Sequence, residues 1–220
     1  MLPERLQHPV LKARQRELRD GFPVNLGLRV HRGLSWLDRG NRETGDNDAA
    51  FVFYWIAFNA LYAEDIPDDR LDGRTAFRQF FERLIALDRD NRIYNAIWFT
   101  FSQSIRVLLD NRYVFQPFWD HHNGLADSAD WAARFEASRK RLARALSAKE
   151  TDVVLSTVFD RLYVLRNQVV HGGATWNGGV NRAQVHDGAA ILRLLVPLFI
   201  DIMMDHPDQP WGPPHYPVVD

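Results

Sequence analysis

The chain has 220 residues, 46% of them hydrophobic, enough to bury a full core and most simply read as one domain. Twenty-seven basic residues against 28 acidic ones leave a net charge of −1, so nucleic acid has to be held by local basic patches, not by a diffuse positive field. The absence of cysteine excludes disulfides, thiolate zinc sites and thiol nucleophiles, and no run of 18 uncharged apolar residues argues for a membrane span.

From the first residue onward, Met1 to Leu6 lack the basic-then-apolar layout of a secretory signal, and a cytoplasmic protein is the expectation. Apolar residues recur at three-to-four spacing almost throughout and no segment alternates with period two, which predicts an all-α fold. Residues 4–19 read as a polar, charged helix broken at Gly21-Phe22-Pro23. Residues 24–39 read as a second helix with Leu26, Val30, Leu34 and Leu37 on one stripe. Residues 40–48 read as a loop, with Asp48 placed to cap a helix over 49–62. That helix is apolar nearly all round, which belongs in the middle of a bundle.

Two amphipathic helices follow at 73–88 and 91–110, the second carrying Ile93, Ile97, Phe101, Ile105 and Leu108. The aromatic stripes Phe51, Phe53, Tyr54, Trp55, Phe58 and Trp98, Phe99, Phe101 are expected in the core. Residues 112–127 are aromatic and irregular, with His121-His122 in a solvated loop, and 128–148 form a charged helix capped by Ser128 or Asp130. Segment 151–171 carries Val154, Val158, Leu162, Leu165 and Val169 on one side. A loop of Gly, Thr, Trp and Asn spans 172–179, where Trp176 offers a ring for base stacking. The last helix, 183–205, is expected to begin near His186 and Asp187, the latter as a first-turn acid, and to bend at Pro197. The tail 207–220 holds five prolines and is expected to run extended. No repeat or linker divides the chain, so the expectation is one all-α domain over 1–220.

Chemistry concentrates in Leu165-Arg166-Asn167-Gln168-Val169-Val170-His171-Gly172-Gly173, where an arginine, an amide and a histidine meet at a helix terminus stopped by Gly-Gly. A fixed cation and a group titrating near neutrality can together cleave a phosphodiester without metal. With 24 arginines and 8 histidines, chance alone supplies about one Arg-x4-His pair, so the context carries the weight. Asn167 and His171 share a helix face, whereas Arg166 lies about 140° around from His171. Two antiparallel copies meeting about a twofold axis would line one cleft with both side chains. The plainer reading is a helix C-cap, with the polar trio satisfying the last carbonyls and Gly172 in the left-handed position.

Other candidates are weaker. The basic stretches Lys12 to Arg19 and Arg139 to Arg144 read as solvated helix faces. His121-His122, near Asp120 and Asp127, lack a His-Glu-x-x-His spacing, so no metal site is expected. Gly172-Gly173 and Gly178-Gly179 lack the strand and lysine of a phosphate-binding loop, and no cofactor is expected.

Leu165 to Gly173 resembles the Arg-Asn-x-x-x-His signature of HEPN domains, particularly the Apea-like branch. Trp55-Ile56-Ala57-Phe58-Asn59-Ala60-Leu61-Tyr62 resembles the early central helix of that branch, and the apolar helix after the motif also fits. Together these cover about 49–205. The resemblance implies an antiparallel helical bundle, a homodimer with the motif at its interface, and in many members a metal-independent endoribonuclease of toxin, defence or RNA-processing systems. It also implies that Arg166 and His171 are the catalytic pair and that Asn167 and Asn59 contact substrate. Asn59 stands where related chains often carry an acidic or polar group; an asparagine cannot act as a base, so its role is orienting or structural. A separate antitoxin or regulator chain is a further implied partner. The alternative is a catalytically inactive dimer that binds a nucleotide, RNA or a protein through the same groove.

Overall fold

A computed structural model describes residues 2–63, 73–179, 181–216 and 218, the side chains of 73–77 excepted. Among the described residues the architecture is all-helical, with an isolated bridge at Pro214 and no strand element. The helices are α1 (His8–Leu18), α2 (Val24–Asn41), α3 (Asn47–Tyr62), α4 (Gly73–Leu87), α5 (Arg92–Asn95), α6 (Ser102–Leu109), α7 (Gln116–His122), α8 (Trp131–Ala148), α9 (Thr151–Val170) and α10 (Arg182–Asp205). No helix among the described residues is long and apolar enough to cross a membrane.

The nearly all-apolar α3 lies between α2 and α10 and faces α9, as a helix without a polar face must. Phe58 of α3 sits at the focus of the core, 4.4 Å in ring centroid from Phe159 of α9 and 5.8 Å from Phe81 of α4. Phe199 of α10 closes the cluster at 6.1 Å from Phe159. Such ring pairs contribute about 0.5–1.5 kcal/mol each beyond their buried area. The α2–α3 contact is close enough to need a glycine: a Cβ on Gly40 would lie 2.6 Å from the Tyr54 ring.

Helix α3 begins at Asn47, two residues earlier than its apolar run suggests. Its cap is Asp46, whose Oδ1 accepts from the Ala49 N–H at 3.0 Å, not Asp48. Helix α10 likewise begins at Arg182, so His186 and Asp187 fall in its second turn and no acid occupies its first. The 91–110 segment is not one helix. A π-helical turn over Ala96–Thr100 closes with Phe101 N–H donating to Ala96 O at 3.1 Å, five residues back. The extra residue in the turn keeps Ile97 buried but swings Phe99 outward, where it is 72% exposed and not in the core. His121 and His122 end α7, which Pro117 starts at a position where its missing N–H costs nothing.

Two arginine clusters fasten the periphery. Asp201 of the apolar α10 is fully buried and receives Arg14 Nη1 at 2.6 Å, Arg92 Nη1 at 2.7 Å and Arg5 Nε at 2.8 Å. Asp205, one turn on, receives the same three arginines at 2.6–3.0 Å. Burial pushes the Asp205 carboxyl up, but Arg14, with Arg5 and Arg92, outweighs it and holds the group below the usual carboxylate range. The second cluster is Arg29, fully buried on α2. It donates to Leu61 O at 2.7 Å and Ala63 O at 3.0 Å, carbonyls at the α3 terminus, and to Pro213 O at 2.9 Å in the tail. Arg32 continues the tail contact through His215 O and Tyr216 O, at 3.2 and 2.9 Å.

Candidate functional site at the α9 terminus

Helix α9 is buried almost all round as far as Leu165, and its surface opens from Arg166 onward. His171 is the C-cap, its N–H donating to Asn167 O at 3.0 Å. Gly172 takes the left-handed φ of +72°, and the chain closes with Gly173 N–H to Gln168 O at 2.7 Å and Gly172 N–H to Val169 O at 3.4 Å. This pair of bonds is the Schellman closure, and it explains the Gly-Gly directly. It also fixes where His171 stands: exposed, at the rim of the helix end.

Arg166 is half-buried, and its Nη1 donates to Asn167 Oδ1 at 2.9 Å. Among the described residues no carboxylate pairs with it, unlike Arg5, Arg14, Arg39, Arg92, Arg139 and Arg182. The Arg166 charge reaches Tyr62 of α3. Burial pushes the Tyr62 hydroxyl up to about 12, Tyr163 adds to the rise, and the nearby Arg166 charge opposes it. Asn59 lies one turn before Tyr62 on α3; its Oδ1 is buried and accepts no hydrogen bond among the described residues. Arg166 and Tyr62 thus lie close across the α3–α9 junction. No hydrogen bond joins Arg166 to His171 in the protomer.

Sequence reasoning passed over Gln168, which organises the neighbourhood. Its Nε2 donates to Tyr113 O at 2.6 Å, and its Oε1 accepts from Asn181 Nδ2 at 2.5 Å, where Asn181 enters α10 with φ +59°. The only signal was its place inside the motif, and no spacing rule marks a partner 55 residues away. The glycine loop is pinned to the start of α3. Trp176 Nε1 donates to Asp46 Oδ2 at 2.9 Å, and Asp48 accepts from Asn177 N–H at 3.1 Å and from Arg182 Nη2 at 2.5 Å. The Ala49 N–H, then the Trp176 indole, hold the Asp46 carboxyl below its ordinary range. The Trp176 ring itself stays 73% exposed.

The remaining candidates are accounted for elsewhere. No group of three histidines or carboxylates converges on a metal position among the described residues. His121 and His122 stack near Trp131 and Phe118. Arg14 belongs to the Asp201 cluster, and Arg139 pairs with Asp110 at 2.5 Å and Glu136 at 3.0 Å. Four cavities of about 330, 330, 250 and 140 Å³ are lined by residues other than Arg166, Asn167 and His171. The chain matches no protein-family model, no curated protein and no solved structure.

Proposed function

We propose that the protein is a metal-independent endoribonuclease of the HEPN type, acting as a homodimer whose cleft is made by two α9 termini. One observation carries the reading: among the described residues Arg166 is held by an amide and by no carboxylate, at the same helix end as an exposed histidine. A guanidinium paired with a neutral amide keeps its charge for an incoming phosphate. Its 140° offset from His171 is what a second, antiparallel copy resolves. Val170, 48% exposed between them, supplies apolar surface for such a seam.

In this reading His171 takes the proton of a ribose 2′-hydroxyl, and the 2′-oxygen attacks phosphorus. The bond from phosphorus to the 5′-oxygen breaks, and that oxygen is protonated by imidazolium, the partner copy providing the second histidine. Arg166 neutralises charge on the phosphorane oxygens. Asn167 orients Arg166 through its Oδ1, and Asn59, whose oxygen is buried and unpartnered among the described residues, has the orienting role. A positioned acid or base contributes about 10²–10⁴-fold. The test is incubation of the purified protein with RNA and with DNA of the same sequence, with and without EDTA. RNA is cut to a 2′,3′-cyclic phosphate, DNA is untouched and EDTA has no effect; a His171→Ala protein that cuts equally well ends the reading.

A second reading is a helical dimer that binds RNA, a nucleotide or a protein without turnover. The exposure of His171, with no hydrogen bond to Arg166 in the protomer, favours it. RNA binding without cleavage, abolished by Arg166→Ala, identifies that case.

A further inference from the structure

We infer that Tyr113 and Arg112, on the 3-10 turn Arg112–Val114 beside the α9 terminus, form a stacking platform for an unpaired base of single-stranded RNA. The inference rests on the RNA reading above, but not on turnover.

The platform is rigid where it needs to be. Tyr113 N–H donates to Asn111 Oδ1 at 2.8 Å, and Tyr113 O accepts both Gln168 Nε2 at 2.6 Å and Trp119 Nε1 at 2.7 Å. Three hydrogen bonds fix the backbone of a residue that is itself 42% exposed. Phe118 meets that ring edge-on at 5.3 Å and sets its plane. A preset aromatic surface binds with little further loss of side-chain freedom.

The charge is placed to match. Arg112 is exposed; its Cζ lies 5.0 Å from the Tyr113 ring centroid and its Nη2 donates to the Tyr113 hydroxyl at 3.0 Å. Among the described residues it has no ion pair. An aromatic face with an attached free cation suits a base and its adjoining phosphate, the usual recognition unit of unpaired strands. Position completes the case. Gln168, which holds Tyr113, is less than one helical turn from His171 and on the adjacent face. A strand that stacks a base on Tyr113 therefore passes its next phosphates across the His171 rim. Duplex RNA hides its base faces and gains nothing from the ring.

The test uses the full chain carrying His171→Ala, so that binding is read without cleavage, and measures anisotropy of a labelled single-stranded RNA and of its blunt duplex. The single strand binds more tightly than the duplex. Tyr113→Ala weakens single-strand binding about 5- to 150-fold and leaves duplex binding unchanged, while Tyr113→Phe binds like the parent. Arg112→Ala lowers the salt slope by about one phosphate contact and, being exposed and without an ion pair, does not disturb folding. Equal binding by Tyr113→Ala, no preference for the single strand, or no RNA binding at all overturns the inference. Failure of the nuclease reading is separate: it shows as wild-type protein that binds the strand through Tyr113 yet yields no cyclic phosphate.

Discussion

Arg166 and Asn167 are neighbours in sequence and partners in space: the guanidinium donates to the amide oxygen at 2.9 Å, and that amide is neutral. The pairing orients the cation without consuming its charge.

Asn167→Asp converts the partner into a counter-ion at the same distance. The expected outcome is at least a tenfold loss of RNA binding and of single-turnover cleavage, equivalent to about 1.4 kcal/mol, with an unchanged or raised melting temperature. Asn167→Ala, which frees the guanidinium, loses less. Anisotropy, single-turnover rates and thermal melts check all three statements; an aspartate variant as active as the parent removes Arg166 from the site.

The proposed seam predicts a change of mass. Sedimentation of the native chain gives twice the 25.5 kDa of one protomer, and Arg166→Glu, which reverses the charge at the proposed seam and breaks the bond to Asn167 Oδ1, gives the protomer mass. A native chain that sediments as a single protomer rules out the shared cleft.

The Asp201 cluster predicts a stability defect far from the α9 terminus. Asp201→Ala leaves Arg5, Arg14 and Arg92 to share Asp205 as their remaining carboxylate, a loss of about 1–3 kcal/mol, read by denaturant unfolding. The neighbouring Asp205 adds a pH dependence. Its folded pKa lies below the ordinary 3.8, so its contribution is complete above that value and disappears as pH falls through the lowered one. In Asp205→Asn, stability falls less steeply at acid pH than in the parent.

Gly172→Ala forces a side chain into the left-handed region and costs about 1–2 kcal/mol, with Gly172→Asn costing less. Both variants keep Arg166 and its Asn167 bond, so a loss of RNA cleavage beyond the loss of folded protein measures how tightly the His171 rim must be held.

Much of the fold was legible because it rests on helical periodicity. The all-round apolar α3 lies where its composition puts it, and the stripes of α2 and α9 face the core. What escaped depends on single residues. Asp46 caps α3 although Asp48 sits closer to the apolar run, because Asp48 is drawn to Arg182 and Asn177 across the fold. Phe99 is exposed because one π turn changes the register, which no fixed period foresees. Asp201 reads as an interruption in an apolar helix until three arginines from distant segments close on it. At the candidate site, the motif and its glycine stop were readable locally, whereas Gln168 to Tyr113 is a tertiary contact with no local sign.

Arg29 ties together parts of the chain 183 and 184 positions apart, since one guanidinium serves both the end of α3 and carbonyls of the proline-rich tail. The tail is therefore a structural strap. Clipping it before Gly212 would strip acceptors from a cation sealed inside the bundle, and the damage would be felt first at the terminus of α3, the helix that also carries Asn59 and Tyr62. Trimming what looks like a dispensable end would thus loosen the wall of the proposed cleft.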